Sequence, residues 1–411
     1  MSSVEALLGG LPPVYEHTES LLARAAAPGP MRGLFVRAWR AVAQSPSRAG
    51  FSIQHHLRRP GGLRSWERRL VAAGLYAAVR GHRLMAAVAG TDDAEALWTG
   101  WLVRQGLPAP AGFAGFASLE QSGADVLSGL GPVERLAVGG SVPEALAARL
   151  LADLGQEAAG FLAASARRAP LTLRVNTALA EVAAVVRQLA EDELEPRLLA
   201  VPGAVGIRRC DIHAHPLYAS GAVEVQDAAS QAVAGLVDAR PGQVVVDYCA
   251  GGGGKALALA ARAGVRVWVH DVRPERLRAL KGRAARAGVA ERIEVGLPGE
   301  GSADRVLVDA PCSGSGTLRR EPALRWRLGD ARVVEMVGLQ GRVLAEAARL
   351  VAPGGRLVYA TCSVFRVENE GVVAAFLEGD EGFVARSAPL KMGPHTDDTD
   401  GFFAVVLERR A

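Results

Sequence analysis

Apolar residues recur at helical spacing through the first third of the chain. Over 65–76, leucine, valine and alanine return every three or four positions between polar residues, which predicts an amphipathic helix. Ser65 is the expected N-cap, and Gly81 is expected to end this helix after Arg80. The pattern predicts a helical domain over residues 1–140.

The middle of the chain predicts a smaller module of mixed helices and strands. Pro143 is expected to start a helix, and 171–176 alternates apolar and polar residues as a half-buried strand does. A helix at about 181–189 and further short strands follow. We therefore predict an α+β module over residues 141–235.

From residue 236 onwards, short apolar runs rich in β-branched residues alternate with helical segments. Strands are predicted at 244–247, 265–269, 305–308 and 356–359, and helices at 255–262, 275–286 and 331–350. This alternation predicts an α/β domain over 236–411, with a parallel sheet covered on both faces. Ligands bind such sheets beyond the carboxyl ends of the strands, so the residues there are the candidates for chemistry.

The amino-acid composition limits the classes of protein to which this chain can belong. The 411 residues are 49% hydrophobic and 22% charged, which indicates a folded chain, and the net charge of +4 permits a nucleic-acid partner without demanding one. No apolar stretch reaches the roughly 20 residues that span a bilayer. The N-terminus lacks a basic start followed by an apolar run, so we expect no signal peptide, no membrane partner and a cytoplasmic monomer.

A glycine-rich loop follows the first strand of the predicted α/β domain. It reads Cys249-Ala250-Gly251-Gly252-Gly253-Gly254-Lys255. Alone it is a weak signal for a ligand, and it lacks the residues of a Walker phosphate loop. Asp271 ends the second strand about 20 residues later, where doubly wound folds place an acid that binds a ribose. An N-cap before Pro274 is the alternative for Asp271.

The four cysteines are far apart, which disfavours a disulfide framework or a zinc site, so we expect no metal. A lone cysteine is usually a small buried hydrophobe, which we expect of Cys210, and Cys249 is expected to pack behind the glycine loop. Cys312 and Cys362 instead follow the carboxyl ends of two predicted strands. Two thiols at one sheet edge indicate chemistry.

The residues around these cysteines resemble the RNA cytosine-5 methyltransferase family, the Sun/NOL1/NOP2 group, from about Pro170 to the C-terminus. The motifs that carry the resemblance are Leu173-Arg174-Val175-Asn176, Gln226-Asp227-Ala228-Ala229-Ser230-Gln231, Asp309-Ala310-Pro311-Cys312-Ser313-Gly314, Gly316-Thr317-Leu318-Arg319-Arg320-Glu321-Pro322 with Arg325-Trp326-Arg327, Thr361-Cys362-Ser363-Val364 with Glu368-Asn369-Glu370, and Asp400-Gly401-Phe402-Phe403. The resemblance implies a Rossmann-like domain that uses S-adenosylmethionine, preceded by an RNA-recognition-like module at 141–235.

The resemblance also implies roles for individual residues. Cys362 is the nucleophile at carbon 6 of cytosine, and Cys312 is the base that allows its release. Asp309 holds the edge of the cytosine, and Lys255 lies near the target base. The residues implied to hold the cofactor are Cys249, Ala250, Gly251, Gly252, Gly253, Gly254, Lys255, Asp271 and Asp309.

Two departures from the family pattern stand out. The usual Ala-Ala-Pro-Gly-Gly-Lys loop has lost its proline, and 295–300 lacks the Gly-Asp pair expected near the adenine. A methyltransferase-like RNA-binding or assembly protein without turnover is therefore an alternative. A DNA cytosine-5 methyltransferase is disfavoured, because no Thr-Cys-Ser partner is expected there.

The identity of the RNA depends on weaker features. The region around Arg68–Gly81 weakly resembles the NusB-like domain of 16S ribosomal RNA enzymes, which favours 16S rRNA over a transfer RNA. Phosphate contacts are expected of Arg319, Arg320, Arg325 and Arg327. His213 and His215 lack further metal ligands and are expected on a surface strand.

Overall fold

The computed structural model describes residues 19–58 and 62–411, so the expectations about the first 18 residues lie outside it. The chain divides into two compact units. The helical unit runs up to Arg168 and includes Thr317–Asp330, and the sheet unit comprises Ala169–Gly316 and Ala331–Ala411. The domain boundaries at residues 140 and 235 stay predictions, because compactness alone does not show where independently folding domains begin.

The helical unit is built around a cluster of large aromatic side chains. Its helices are Glu19–Ala26, Pro30–Gln44, Ala49–Arg58, Ser65–Ala89, Ala94–Arg104, Ala114–Ala117, Leu119–Ser128, Pro132–Gly139, Glu144–Leu154 and Glu157–Ala166. The ring of Trp98 lies 4.8 Å from that of Phe35 and 5.3 Å from that of Trp101. A Cβ at Gly74 would lie 2.7 Å from the Trp98 ring, so this close packing requires glycine there.

The longest helix differs from its prediction at both ends. It runs over Ser65–Ala89, with Gly81 buried in its interior, so the prediction that Gly81 ends it is wrong. Glycine weakens a helix interior by about 1 kcal/mol but does not break it, and the left-handed residue that ends this helix is Gly90. The N-cap is Arg64 and not Ser65, and the Arg64 N–H donates to the Glu67 carboxylate at 2.7 Å.

Arg325 anchors the segment Thr317–Asp330 inside the helical unit. Its side chain is 0% exposed. Its guanidinium donates to the carbonyl oxygens of Arg80 and Gly140 at 2.9 Å, and to that of Ser165 at 3.2 Å. Burial lowers the pKa of Arg325 to about 9. The expected phosphate contact is therefore wrong for Arg325, because its guanidinium is buried and donates to backbone carbonyls.

A four-stranded antiparallel sheet opens the sheet unit, in the order β2-β3-β1-β4. The strands are β1 (Leu171–Val175), β2 (Arg197–Leu198), β3 (Ala204–Ile207) and β4 (Val223–Val225), with the helices Val182–Glu191 and Pro216–Ala219. Strand β1 confirms the strand predicted from the alternating pattern at 171–176. Leu173 and Val175 pack with Val185 and Leu189 of the first of these helices.

The large sheet has the order β10-β12-β9-β8-β5-β6-β7, and β11 pairs with β12. The strands are β5 (Val244–Asp247), β6 (Arg266–Val269), β7 (Ile293–Val295), β8 (Ala303–Asp309), β9 (Val351–Thr361), β10 (Phe383–Ala385), β11 (Leu390–Met392) and β12 (Phe402–Arg409), and the helices are Ala228–Leu236, Gly254–Ala260, Arg278–Arg286, Asp330–Ala348 and Glu370–Gly379. Strands β5 to β9 are parallel, and β10 to β12 add an antiparallel edge.

The predicted α/β class is thus confirmed. Successive strand residues face opposite cores, since Val245 packs in one apolar cluster and Val246 in the other. The carboxyl ends of β5, β6, β8 and β9 therefore meet at one edge, which carries the glycine loop and both candidate cysteines. Across the described residues, the structure contains no helix with the length and apolar character of a membrane span.

Candidate active site

Asp271 supports the glycine loop directly. Its carboxylate accepts the Gly251 N–H at 3.0 Å and the Arg273 N–H at 2.8 Å. Gly251 and Gly253 have φ of +53° and +78°, and a Cβ at Gly253 would lie 2.2 Å from the Leu280 side chain. The N-cap before Pro274 is Arg273, so the N-cap alternative for Asp271 is wrong, and its bond to the Arg273 N–H is that of an Asx turn. The ribose role of Asp271 stays a prediction.

Arg283 holds the part of the loop that lacks the family proline. It lies on the helix Arg278–Arg286, and its guanidinium donates to the Gly252 carbonyl. The same group donates to the Glu224 carboxylate at 3.1 Å, which links the loop to the small sheet. Glycine is the least restricted residue, so this contact supplies a restraint that proline would otherwise provide.

Three carboxyl groups, one ammonium and one guanidinium lie near the inner end of the loop. Lys255 pairs with Asp309 at 2.6 Å, and its ammonium lies 5.0 Å from the Phe402 ring centre. Burial alone would lower the pKa of Lys255, but the Asp309 and Asp247 carboxyls raise it above its usual value. Asp247 is 1% exposed, and burial raises its pKa to about 7. Asp271 adds a third carboxyl, and the Arg276 guanidinium lies 3.7 Å from it.

The two predicted catalytic cysteines lie side by side. The Cys312 and Cys362 sulfur atoms are 3.2 Å apart, and both side chains are half-buried. The hydrogen bond to Cys362, together with burial, raises the pKa of the Cys312 thiol well above its usual value. The contact between the two sulfurs allows either thiol to be the donor.

A buried carboxylate ties together the loops that carry these cysteines. Glu368 accepts the backbone N–H of Ser313 at 2.7 Å and its hydroxyl at 2.5 Å. It also accepts the Ser363 hydroxyl at 2.5 Å and the Gln340 side-chain amide at 3.0 Å. Ser313 follows Cys312 and Ser363 follows Cys362, so one carboxylate holds the residue after each cysteine.

Sequence reasoning identified the stretch that contains Glu368 but assigned it no role. Its neighbour Asn369 completes the arrangement. The Asn369 side chain accepts the Thr361 hydroxyl at 2.6 Å and donates to the Ser363 carbonyl at 2.9 Å. Gln340, on the helix Asp330–Ala348, was missed, because no local motif marks a glutamine whose partners are distant in sequence.

The remaining cysteines and the histidine pair lie in environments that do not require a role in catalysis. Cys210 is exposed, so its expected role as a buried hydrophobe is wrong. Cys249 packs against one apolar core, and burial raises the pKa of its thiol. His215 accepts the Leu217 N–H at the start of the helix Pro216–Ala219 and contacts Asp192 at 3.0 Å, while His213 packs on a tyrosine ring.

The doubly wound sheet, the glycine loop and the strand-end acid define a Rossmann-like fold of the kind that methyltransferases use. Residues 234–408 match the family of the 16S rRNA methyltransferase RsmB/F, and residues 142–212 match the ferredoxin-like domain of RsmF/B-like methyltransferases. Residues 142–212 and 234–408 of this chain therefore carry the domains of the RsmB/F methyltransferases.

Curated relatives and solved structures agree with this family. Ribosomal RNA small subunit methyltransferase B of Yersinia pseudotuberculosis and that of Yersinia pestis are each 32% identical over 268 residues, which span 61% of this chain and 62% of theirs. The structure of PH0851 has a TM-score of 0.72 at 27% identity and covers 93% of this chain and 100% of its own. A methyltransferase homolog protein from Pyrococcus horikoshii shares the fold, with a TM-score of 0.60 at 24% identity over 68% of this chain and 100% of its own.

Proposed function

We propose that this chain transfers a methyl group from S-adenosylmethionine to carbon 5 of a cytosine in RNA. The observation that carries the proposal is the pair of thiols 3.2 Å apart at the ligand-binding edge of the sheet. One thiol that attacks and another that assists release is the arrangement this reaction needs.

The residues at the glycine loop fit the cofactor. A ribose diol suits the Asp271 carboxylate, which already orders the loop through the Gly251 N–H. Asp247 and Asp309 are two carboxyls beside one ammonium, and a ligand with a sulfonium and an amino group would favour the charged form of Asp247. When bound there, S-adenosylmethionine supplies an electrophilic methyl group. We include Cys249–Lys255 in this site because they form the loop itself.

Cys362 begins the reaction in this account. Its sulfur bonds to carbon 6 of cytosine, and the ring electrons that this addition displaces make carbon 5 nucleophilic. A thiolate is the attacking form, and Cys312 stabilises it by donating a hydrogen bond. Asp309 holds the edge of the base, and Lys255 keeps that carboxylate in place through their ion pair. The target base must leave any stack to reach these groups.

Cys312 completes the reaction. The hydrogen bond to Cys362 is the largest cause of the raised pKa of Cys312, and the bond from Cys362 to carbon 6 would weaken that hydrogen bond. Cys312 can then lose its proton to water and, as a thiolate, accept the proton of carbon 5. The electrons of the C–H bond restore the ring double bond, and the Cys362 sulfur leaves.

We propose small-subunit ribosomal RNA as the substrate. The curated relatives are named as ribosomal RNA small subunit methyltransferases, and the ferredoxin-like match at 142–212 agrees with an RNA-recognition-like module in the chain. The helical unit would contribute RNA affinity. Transfer RNA is the alternative within the same chemistry.

Transfer of tritium from methyl-labelled S-adenosylmethionine to 16S rRNA tests this proposal. We expect label in RNA with the wild-type chain and none with Cys362→Ala. Bisulfite sequencing of cellular RNA with and without the gene then locates the modified cytosine. RNA binding without label in any ribosomal or transfer RNA would instead support a methyltransferase-like assembly protein.

A further inference from the structure

The charge of the chain is distributed unevenly. Residues 20–66 contain eight arginines and neither aspartate nor glutamate, although the whole chain has a net charge of only +4. The rest of the chain therefore sums to −4. A basic segment without acids is the electrostatic signature of a polyanion partner.

The arginines of this segment differ in their partners among the described residues. Arg24 and Arg32 pair with glutamates of neighbouring helices. Arg37, Arg40, Arg48 and Arg58 are exposed, and among the side chains that the structure describes none forms an ion pair with these four.

An exposed aromatic ring lies among these charges. Phe51, on the helix Ala49–Arg58, is 66% exposed. The Arg48 guanidinium carbon lies 5.7 Å from the centre of its ring. The His55 ring is also 5.7 Å away and is inclined by only 16° to the phenyl ring. A large aromatic ring left in water next to cations costs hydrophobic free energy, which a stacked ligand would recover.

We propose that this surface, formed by Arg48, Phe51, His55 and Arg58 and here called the Phe51 surface, binds single-stranded RNA by stacking an unpaired base on Phe51. The proposal rests on the proposed function, since it concerns the same RNA substrate. Arginines would hold the adjacent phosphates, as in other proteins that combine basic grooves with aromatic platforms. Duplex RNA is disfavoured because its base faces are covered, and a membrane is disfavoured because Phe51 is the one large apolar side chain exposed on this helix.

Fluorescence anisotropy with a labelled single-stranded RNA oligonucleotide, and with its duplex, tests the proposal on the full chain. Phe51→Ala should weaken single-strand binding by roughly 5- to 150-fold, the range expected for the loss of one stacked base, and leave duplex binding unchanged. Phe51→Trp should bind like the wild type, and Phe51→Leu should resemble Phe51→Ala because it is apolar but cannot stack. Val334→Ala, which removes another exposed apolar side chain, is the matched control.

Because Phe51 is exposed, its variants should keep the wild-type thermal midpoint, and a melting curve checks that they fold. Unchanged single-strand affinity for Phe51→Ala overturns the proposal. An equal loss of affinity for the single strand and the duplex also overturns it. So does a Phe51→Ala variant that loses affinity only for anionic phosphatidylserine vesicles, measured in parallel. The proposed function is tested separately, by methyl transfer to a short RNA that contains the target cytosine. If only the role of the Phe51 surface is wrong, methyl transfer persists. If only the catalytic proposal is wrong, methyl transfer is absent but binding of single-stranded RNA still depends on Phe51.

Discussion

The Cys312 sulfur lies 3.2 Å from the Cys362 sulfur, although 50 residues separate them in sequence. Their strands β8 and β9 are parallel neighbours, so both loops begin at the same edge of the sheet. Glu368 then fixes the spacing by accepting hydrogen bonds from the residue after each cysteine. The thiol pair is thus built from strand pairing and one buried carboxylate.

Glu368 should be a positioning residue for both cysteines. Glu368→Gln keeps the size of the side chain but replaces one carboxylate oxygen with an NH2 group. That group cannot accept the hydrogen bonds that the Ser313 and Ser363 hydroxyls donate. We expect kcat to fall by about 10²-fold, the effect of a misplacement on the order of 1 Å, with KM little changed. Steady-state methylation kinetics measure both constants.

Glu370→Gln is the matched control, because this nearby carboxylate pairs with Lys391 at 2.5 Å instead of with the cysteine loops. A wild-type kcat for Glu368→Gln, or a loss that appears only as a lower thermal midpoint, would contradict the positioning role.

Asp247 should make stability depend on pH. Its folded-state pKa of about 7 lies above the usual 3.8, because burial disfavours the charged form. Between these values the folded state binds more protons than the unfolded state, so stability falls as the pH rises from about 4 to 7. The loss is about 4 kcal/mol at most, from about 1.4 kcal/mol per unit of pKa.

Asp247→Asn removes this titration. Urea unfolding of both proteins at several pH values should show the variant gaining relative stability from pH 4 to 7 and no further gain above that. Parallel pH profiles for the two proteins would show that Asp247 does not titrate in this range.

Asp271 should contribute to cofactor affinity. Asp271→Ala removes the charged acceptor that we propose for the ribose hydroxyls and also frees the Gly251 N–H. We expect weaker binding of S-adenosylmethionine by about 1.5–3 kcal/mol. Titration calorimetry measures this, with Glu275→Gln, an exposed acid on the following turn, as the control. Equal affinities for Asp271→Ala and the wild type would place the ribose elsewhere.

Arg325 should stabilise the helical unit. Arg325→Met leaves the carbonyls of Arg80, Gly140 and Ser165 buried without this donor, which we expect to cost about 3 kcal/mol or more. Arg327→Met, at an exposed position, should change stability by less than about 0.5 kcal/mol. Urea unfolding compares the two variants. Similar midpoints would contradict the anchoring role.

The same anchor makes deletion of residues 1–140 a poor test of RNA binding. The carbonyl partners Arg80 and Gly140 lie in the deleted part, so Arg325 would lose them, and a loss of affinity could not be separated from a loss of stability. Substitutions on the Phe51 surface avoid this problem, because they change exposed side chains only.

The sequence predicted those features that depend on local pattern. The apolar runs that became β5, β6, β8 and β9 identified the parallel sheet, and the topology of such sheets placed the glycine loop and both cysteines at one edge. Features that depend on distant partners were not predicted. From sequence alone, Arg325 is expected on the surface and Gln340 is an ordinary helical residue. Their partners are distant in sequence, so no local pattern identifies them.

The test closest to the central claim is the fate of the covalent bond between protein and RNA in single-cysteine variants. Cys312→Ala keeps the attacking sulfur of Cys362 but lacks the base for release. Incubated with S-adenosylmethionine and substrate RNA, this variant should give a protein–RNA band on a denaturing gel, and Cys362→Ala and the double variant should give none. A band with Cys362→Ala and none with Cys312→Ala would reverse the two roles and contradict the account.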